Sequence, residues 1–121
     1  MKYTSCYADS AGETQFEDAE EETQQVELAP SAVFGVTKNR PASNVFSANW
    51  PPGYADDFHP VPARYLFALL QGEFYTTVSN GEVRRFRPGD VVLVEDVASE
   101  GHKSVFVGQS NCELMFVELA E

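Results

Sequence analysis

Apolar and polar positions alternate along this chain in short runs punctuated by turn residues, which is the period of strands. Ala63 to Leu70 is an apolar run of aromatic and aliphatic residues closed by Gln71-Gly72, short enough to be one buried strand. Phe74 to Val78 alternates and stops at Ser79-Asn80-Gly81, and Val83 to Phe86 returns. Asn-Gly between two such runs predicts a type I′ hairpin, whose two central residues both need φ > 0. Arg87-Pro88-Gly89-Asp90 then turns the chain into the apolar run Val91 to Val94. The polar loop Ala98-Ser99-Glu100-Gly101 delivers His102 at the head of a strand from Lys103 to Val107. Asn111 to Leu119 closes the chain, with Leu114 and Phe116 on one side and Met115 and Val117 on the other.

The first fifty residues follow the pattern less cleanly. Lys2 to Tyr7 reads as an edge strand before a turn at Asp9 to Gly12. A helix over Glu17 to Gln25 would have Ala19 as its only apolar member, so it would bury no face. The acidic side chains there suit a solvated edge that blocks unwanted pairing. Val33 to Val36 is a small apolar patch between prolines. Asn44 to Trp50 is a strand in which Val45 and Phe46 cannot both face inward, and Pro51-Pro52 ends it. Short strands with regular turn signals and no amphipathic helix predict an all-β sandwich or barrel.

Size and charge narrow the function classes. The 121 residues suit one domain with a real core, and 43% hydrophobic residues, with 9 Phe and 5 Tyr, exclude a disordered chain. No stretch approaches the roughly 18 consecutive apolar residues of a membrane helix. A net charge of −11 leaves no basic patch for phosphates, so neither nucleic acid nor an anionic membrane is expected as a partner. Cys6 and Cys112 lack zinc-type spacing. With no apolar leader segment, they are expected as reduced thiols in a cytoplasmic protein, the alternative being a bridge between the two terminal segments.

One succession of residues is distinctive: His59-Pro60-Val61-Pro62, the Asn-Gly hairpin, Pro88-Gly89-Asp90, Glu95-Asp96 and Gly101-His102-Lys103-Ser104. It resembles the cupin superfamily, and more narrowly its small single-domain members. The resemblance implies a double-stranded β-helix, or jelly roll. In it residues 51–121 form the cupin core, and residues 1–50 supply N-terminal strands and an acidic edge segment that complete the barrel, with 14–28 extended. It also implies a homodimer with a small-molecule ligand in the barrel.

Metal-binding cupins present two histidines one residue apart, a glutamate and a later histidine. Aligned on Gly72, those positions hold His59, Val61, Tyr65 and His102, so two of four ligands remain. Valine has no lone pair, and neutral tyrosine is a poor ligand for a divalent ion near pH 7. A site for Fe, Mn, Ni or Zn would therefore need His59, His102 and a carboxylate, Glu95 or Asp96. The metal-free alternative uses His59 and His102 for proton transfer, as in an isomerase, cyclase or lyase, with Tyr65 or Arg64 polarising a carbonyl. By the register of the resemblance Tyr65 faces in and Arg64 out. A third alternative is a non-catalytic binding module. The same residues also have bland readings: Tyr65 as core filler, Glu95-Asp96 as a loop anchor and each histidine as a capped polar group.

Overall fold

The computed structural model describes residues 1–120. Among the described residues it holds eleven strands and no helix: β1 (Lys2–Ala8), β2 (Thr14–Glu20), β3 (Gln24–Ala29), β4 (Ala32–Val36), β5 (Ala42–Trp50), β6 (Tyr65–Gln71), β7 (Glu73–Val78), β8 (Val83–Phe86), β9 (Val91–Val94), β10 (His102–Val107) and β11 (Cys112–Leu119). The all-β reading holds. Six strands form one sheet in the order β2-β1-β9-β6-β11-β5, and β10-β7-β8 form a second. Against β10 runs an irregular segment: Gly53 donates to the Phe106 carbonyl, Asp56 to that of Ser104, and His59 and His102 exchange backbone bonds of 2.9 and 3.0 Å.

The two sheets bury their apolar faces against each other. Leu69 and Leu114 from the larger sheet and Phe74, Phe86 and Phe106 from the smaller are each at most 5% exposed. Rings meet across the layers, with Phe67 of β6 at 6.1 Å from Phe74 of β7 and Trp50 of β5 stacked at 5.5 Å on Phe106 of β10. Each ring removed from water contributes roughly 1.5–3 kcal/mol, so this seam dominates the cohesion of the fold. No helix among the described residues is long and apolar enough to cross a membrane.

Several local expectations change. Lys2 to Tyr7 is not an edge: β1 lies between β2 and β9, parallel to β9 and antiparallel to β2. The acidic edge is β2, where Thr14 and Phe16 are buried and Glu17, Asp18 and Glu20 exposed. Residues 14–28 are extended, but as parts of two strands. The β7–β8 hairpin is not type I′. Asn80 is absent from the positive-φ residues, Gly81 has φ 96°, and Gly81 donates to the Val78 carbonyl. That is a three-residue loop, a type I turn followed by a bulged glycine. β6 starts at Tyr65 and alternates, with Leu69 fully buried and Leu70 58% exposed, because one of its faces meets solvent.

Candidate active site

Between the sheets lies a cavity of about 270 Å³. Nine aromatic side chains line it, so most of its wall is apolar. Its polar lining is Cys6, Asp56, His59, Thr76, His102 and Ser104. Thr76 and Ser104 bond each other through their hydroxyls at 2.9 Å, which leaves the histidines and Cys6 as its free chemistry.

His59 and His102 come together although 43 positions separate them. Their ring centroids stand 5.0 Å apart at an interplanar angle of 51°. The pairing is made by backbone, through the reciprocal His59–His102 bonds. It needs Gly101, whose φ is +82° and whose missing Cβ would lie 2.1 Å from the His59 carbonyl carbon. Thr14, fully buried on β2, holds the same loop from the other side: its hydroxyl donates to the Gly101 carbonyl at 2.6 Å and accepts from the Ser79 amide at 2.6 Å. One threonine thus ties the β7–β8 hairpin to the histidine loop.

Each imidazole is bound by a carboxylate. His102 Nδ1 lies 2.6 Å from Oδ2 of Asp96, which is fully buried. With Nδ1 donating to that carboxylate, Nε2 is the acceptor of the neutral ring. His59 Nε2 lies 3.1 Å from Asp56 Oδ2, and its Nδ1 lies 3.2 Å from the Pro60 carbonyl. Asp56 is fixed by its other oxygen, which accepts from the Ser104 amide at 2.7 Å. Desolvation lowers the His59 pKa. The Asp56 hydrogen bond, the Pro60 carbonyl and the charges of Asp56 and Asp96 outweigh it, so the net shift is upward. An imidazole with acceptors at both nitrogens is held best as imidazolium.

The remaining sequence candidates divide. Tyr65 lines the cavity, packed edge-on to Phe46 and Phe116 at 5.9 and 5.7 Å. Arg64 is not among the lining residues. Its guanidinium binds Glu95 through Nε and Nη2 at 2.8 and 2.7 Å. The pairing His59, His102 and Glu95 as metal ligands is therefore not assembled, because Glu95 is held by Arg64 and the carboxylate on His102 is Asp96. Neighbours in an extended segment point to opposite sides, which sends one acid of the Glu95-Asp96 pair inward and the other out.

Cys6, Asp96 and His102 form a group whose donor atoms all lie within 4.8 Å of one another, close enough to hold a metal ion. The four-ligand cupin set does not fit this chain, since Val61 and Tyr65 occupy two of its positions. The Cys6 thiol is pushed up to about 12 by burial and by the nearby Asp96 charge, so in the metal-free site it stays protonated. Both cysteines are buried and unbridged. Cys6 and Asp56 carried no sequence motif. Only the placement of β1 beside β9, and of the 53–59 segment beside β10, brings them to the cavity.

No family model and no curated protein sequence matches the chain. Similar solved structures include the Cnp3 cupin domain of Schizosaccharomyces pombe, 14% identical, with 99% of this chain and 84% of that one covered at a TM-score of 0.53. A cupin superfamily protein of Desulfitobacterium hafniense, 15% identical, is covered over 69% and 84% of the two chains at 0.46. A putative ethanolamine utilization protein of Salmonella typhimurium, 13% identical, is covered over 98% and 95% at 0.42. At these identities the likeness concerns the fold alone.

Proposed function

From the cupin fold as premise, we propose that the chain binds a small, mainly apolar carbonyl compound in its barrel and catalyses proton transfer on it with His59 and His102. The observation that carries this is the pair of carboxylate-anchored imidazoles 5.0 Å apart at the wall of an otherwise aromatic cavity. A volume of 270 Å³ exceeds the roughly 150 Å³ that admits benzene, so a mono- or bicyclic ligand suits it.

Two imidazoles this close repel if both are charged, which favours one cation and one neutral ring. His59, with acceptors at both nitrogens, is the cation. His102 Nε2 is the base, its tautomer fixed by Asp96. In the proposed step Nε2 takes the proton from the carbon next to the carbonyl. The C–H electron pair moves into the bond between that carbon and the carbonyl carbon, and the carbonyl π pair moves onto oxygen. The imidazolium of His59 stabilises that oxygen and protonates it, and the substrate oxygen displaces the Pro60 carbonyl from Nδ1. For a β,γ-unsaturated ketone the resulting enol is conjugated: its O–H returns the proton to His59 as the carbonyl re-forms, and the far carbon of the diene takes the proton from His102, which shifts the C=C bond and completes an isomerisation. Tyr65 positions the ligand as part of the aromatic wall.

The test is exchange of α-protons for deuterium in a panel of small cyclic ketones, followed by NMR. Wild type is expected to accelerate exchange for a subset, and His102→Ala to abolish it with the fold intact by circular dichroism. Unchanged exchange and unchanged ligand affinity in His102→Ala would remove the proposal.

A second reading has its own observation. Asp96 Oδ1 is buried with no hydrogen-bond partner, and a cation shared with Cys6 and His102 would satisfy it. Elemental analysis of purified protein separates the two, since a stoichiometric metal promotes this reading over the first.

A further inference from the structure

Cross-strand pairs on the cavity face of the smaller sheet form a ladder. Phe106 lies opposite Phe74, Ser104 opposite Thr76 and His102 opposite Val78. Phe106 and Phe74 stack at 4.9 Å, and apart from His102 each of these residues is at most 8% exposed. The middle rung is therefore a buried pair of hydroxyls among rings and aliphatic groups. Burying a hydroxyl in such surroundings costs free energy unless its hydrogen finds an acceptor.

The hydrogens at this rung do not balance. Two hydroxyls carry two hydrogens, and the 2.9 Å bond between Thr76 Oγ1 and Ser104 Oγ uses one of them. Neither oxygen has another hydrogen-bond partner among the described residues. Either hydroxyl can be the donor of the pair, so the second hydrogen sits on whichever one accepts, and both residues line the cavity. The pair adds no titrating group to the site. What it adds is a donor, free to turn toward a molecule in the cavity.

We propose that Thr76 and Ser104 form a second recognition point in the cavity, and that the ligand is a cyclic ketone with an acceptor oxygen across the ring from its reacting carbonyl. This rests on the reading of the cavity as a ketone site, and it names the class of ketone. Spacing supports it. His102 and Ser104 lie two residues apart on one face of β10, about 7 Å, which a ring with an oxygen on either side bridges. A ligand whose carbonyl meets the histidines thus brings its far side to the hydroxyl pair, with the stacked rings of Phe74 and Phe106 next along the strands. A few fixed polar groups in an apolar pocket set a ligand's orientation. With one oxygen held at each end, the ring enters one way round and keeps the carbon beside its reacting carbonyl at His102 Nε2.

Calorimetric titration of the full chain with two cyclohexanones of matched size tests this. One bears a methoxy group on the carbon opposite the carbonyl, and the other an ethyl group, in which a methylene replaces the acceptor. Wild type is expected to bind the ether more tightly, although the ethyl ketone is the more apolar. Thr76→Val with Ser104→Ala removes both members of the pair, which leaves no hydroxyl unpartnered and is expected to preserve the circular dichroism spectrum. In that variant the ratio of affinities, ether over ethyl, is expected to fall about tenfold, the worth of one hydrogen bond. The wild-type order decides by itself should the double variant not fold. Tighter binding of the ethyl ketone by wild type, or the same ratio in both proteins, overturns the proposal while leaving the cavity a ketone site. Binding of neither ketone, with no exchange of their α-protons, overturns both.

Discussion

Replacing Gly101 by alanine tests whether the backbone pairing of the two histidine segments holds the site. Gly101 and Gly12 have the same φ, +82°, and they differ only in what surrounds them. A Cβ at Gly12 meets nothing within 4 Å, so Gly12→Ala costs only the left-handed conformation, about 1 kcal/mol. A Cβ at Gly101 would sit 2.1 Å from the His59 carbonyl carbon, 2.3 Å from its oxygen and 2.4 Å from the Pro60 nitrogen. These are backbone atoms and cannot rotate aside, so the 59–60 segment must withdraw from β10. Withdrawal breaks the two reciprocal His59–His102 bonds, roughly 1 kcal/mol each. Gly101→Ala should therefore cost about 3 kcal/mol or more. At about 4 °C per kcal/mol for a chain of this length, the Tm should fall by about 12 °C, against about 4 °C for Gly12→Ala. Calorimetry on the two variants gives the difference directly. Equal losses would show that the two strands do not meet at Gly101, and the geometry of the site would be wrong.

Other expectations follow from single contacts. Thr14→Val keeps the shape but leaves the buried Gly101 carbonyl and Ser79 amide without their partner, and should cost about 1–3 kcal/mol in chemical denaturation. A loss below 0.5 kcal/mol on the order of experimental error would deny the link between hairpin and histidine loop. Asp56→Asn removes the main stabiliser of the His59 cation, so the His59 titration followed by NMR should move down toward the ordinary imidazole value; no movement would contradict the pairing. Because the folded state raises this pKa, protonated His59 stabilises the fold below the unfolded imidazole value. That contribution disappears as pH rises through the folded value. The thiols of Cys6 and Cys112, buried and pushed upward by desolvation, should resist thiol reagents at pH 8 until the protein is unfolded, when both react.

Much of the architecture was legible because it rests on local chemistry. Val83–Phe86 and Val91–Val94 are delimited by turn residues, and their bounds emerge unchanged. His59 and His102 were both candidates, because they stand at two of the four ligand positions that the resemblance to metal-binding cupins implies. The partners were less legible. That Asp96 rather than Glu95 reaches His102 depends on which side of an extended segment faces in, and Glu95 goes instead to Arg64, just before β6. Cys6 reaches the cavity only because β1 lies parallel to β9, a pairing that leaves no signal in short-range alternation. The hairpin loop differed because Asn-Gly also suits the last two positions of a three-residue loop, in which only glycine needs positive φ.

The central claim is that the two imidazoles form one acid–base pair, and the most direct measurement is the ring ¹⁵N spectrum of the two histidines near pH 6.5. The account predicts that His59 carries protons on both nitrogens, while His102 carries one on Nδ1 and presents a bare Nε2, with cross-relaxation between the rings. Two rings in the same protonation state, or no contact between them, would contradict it.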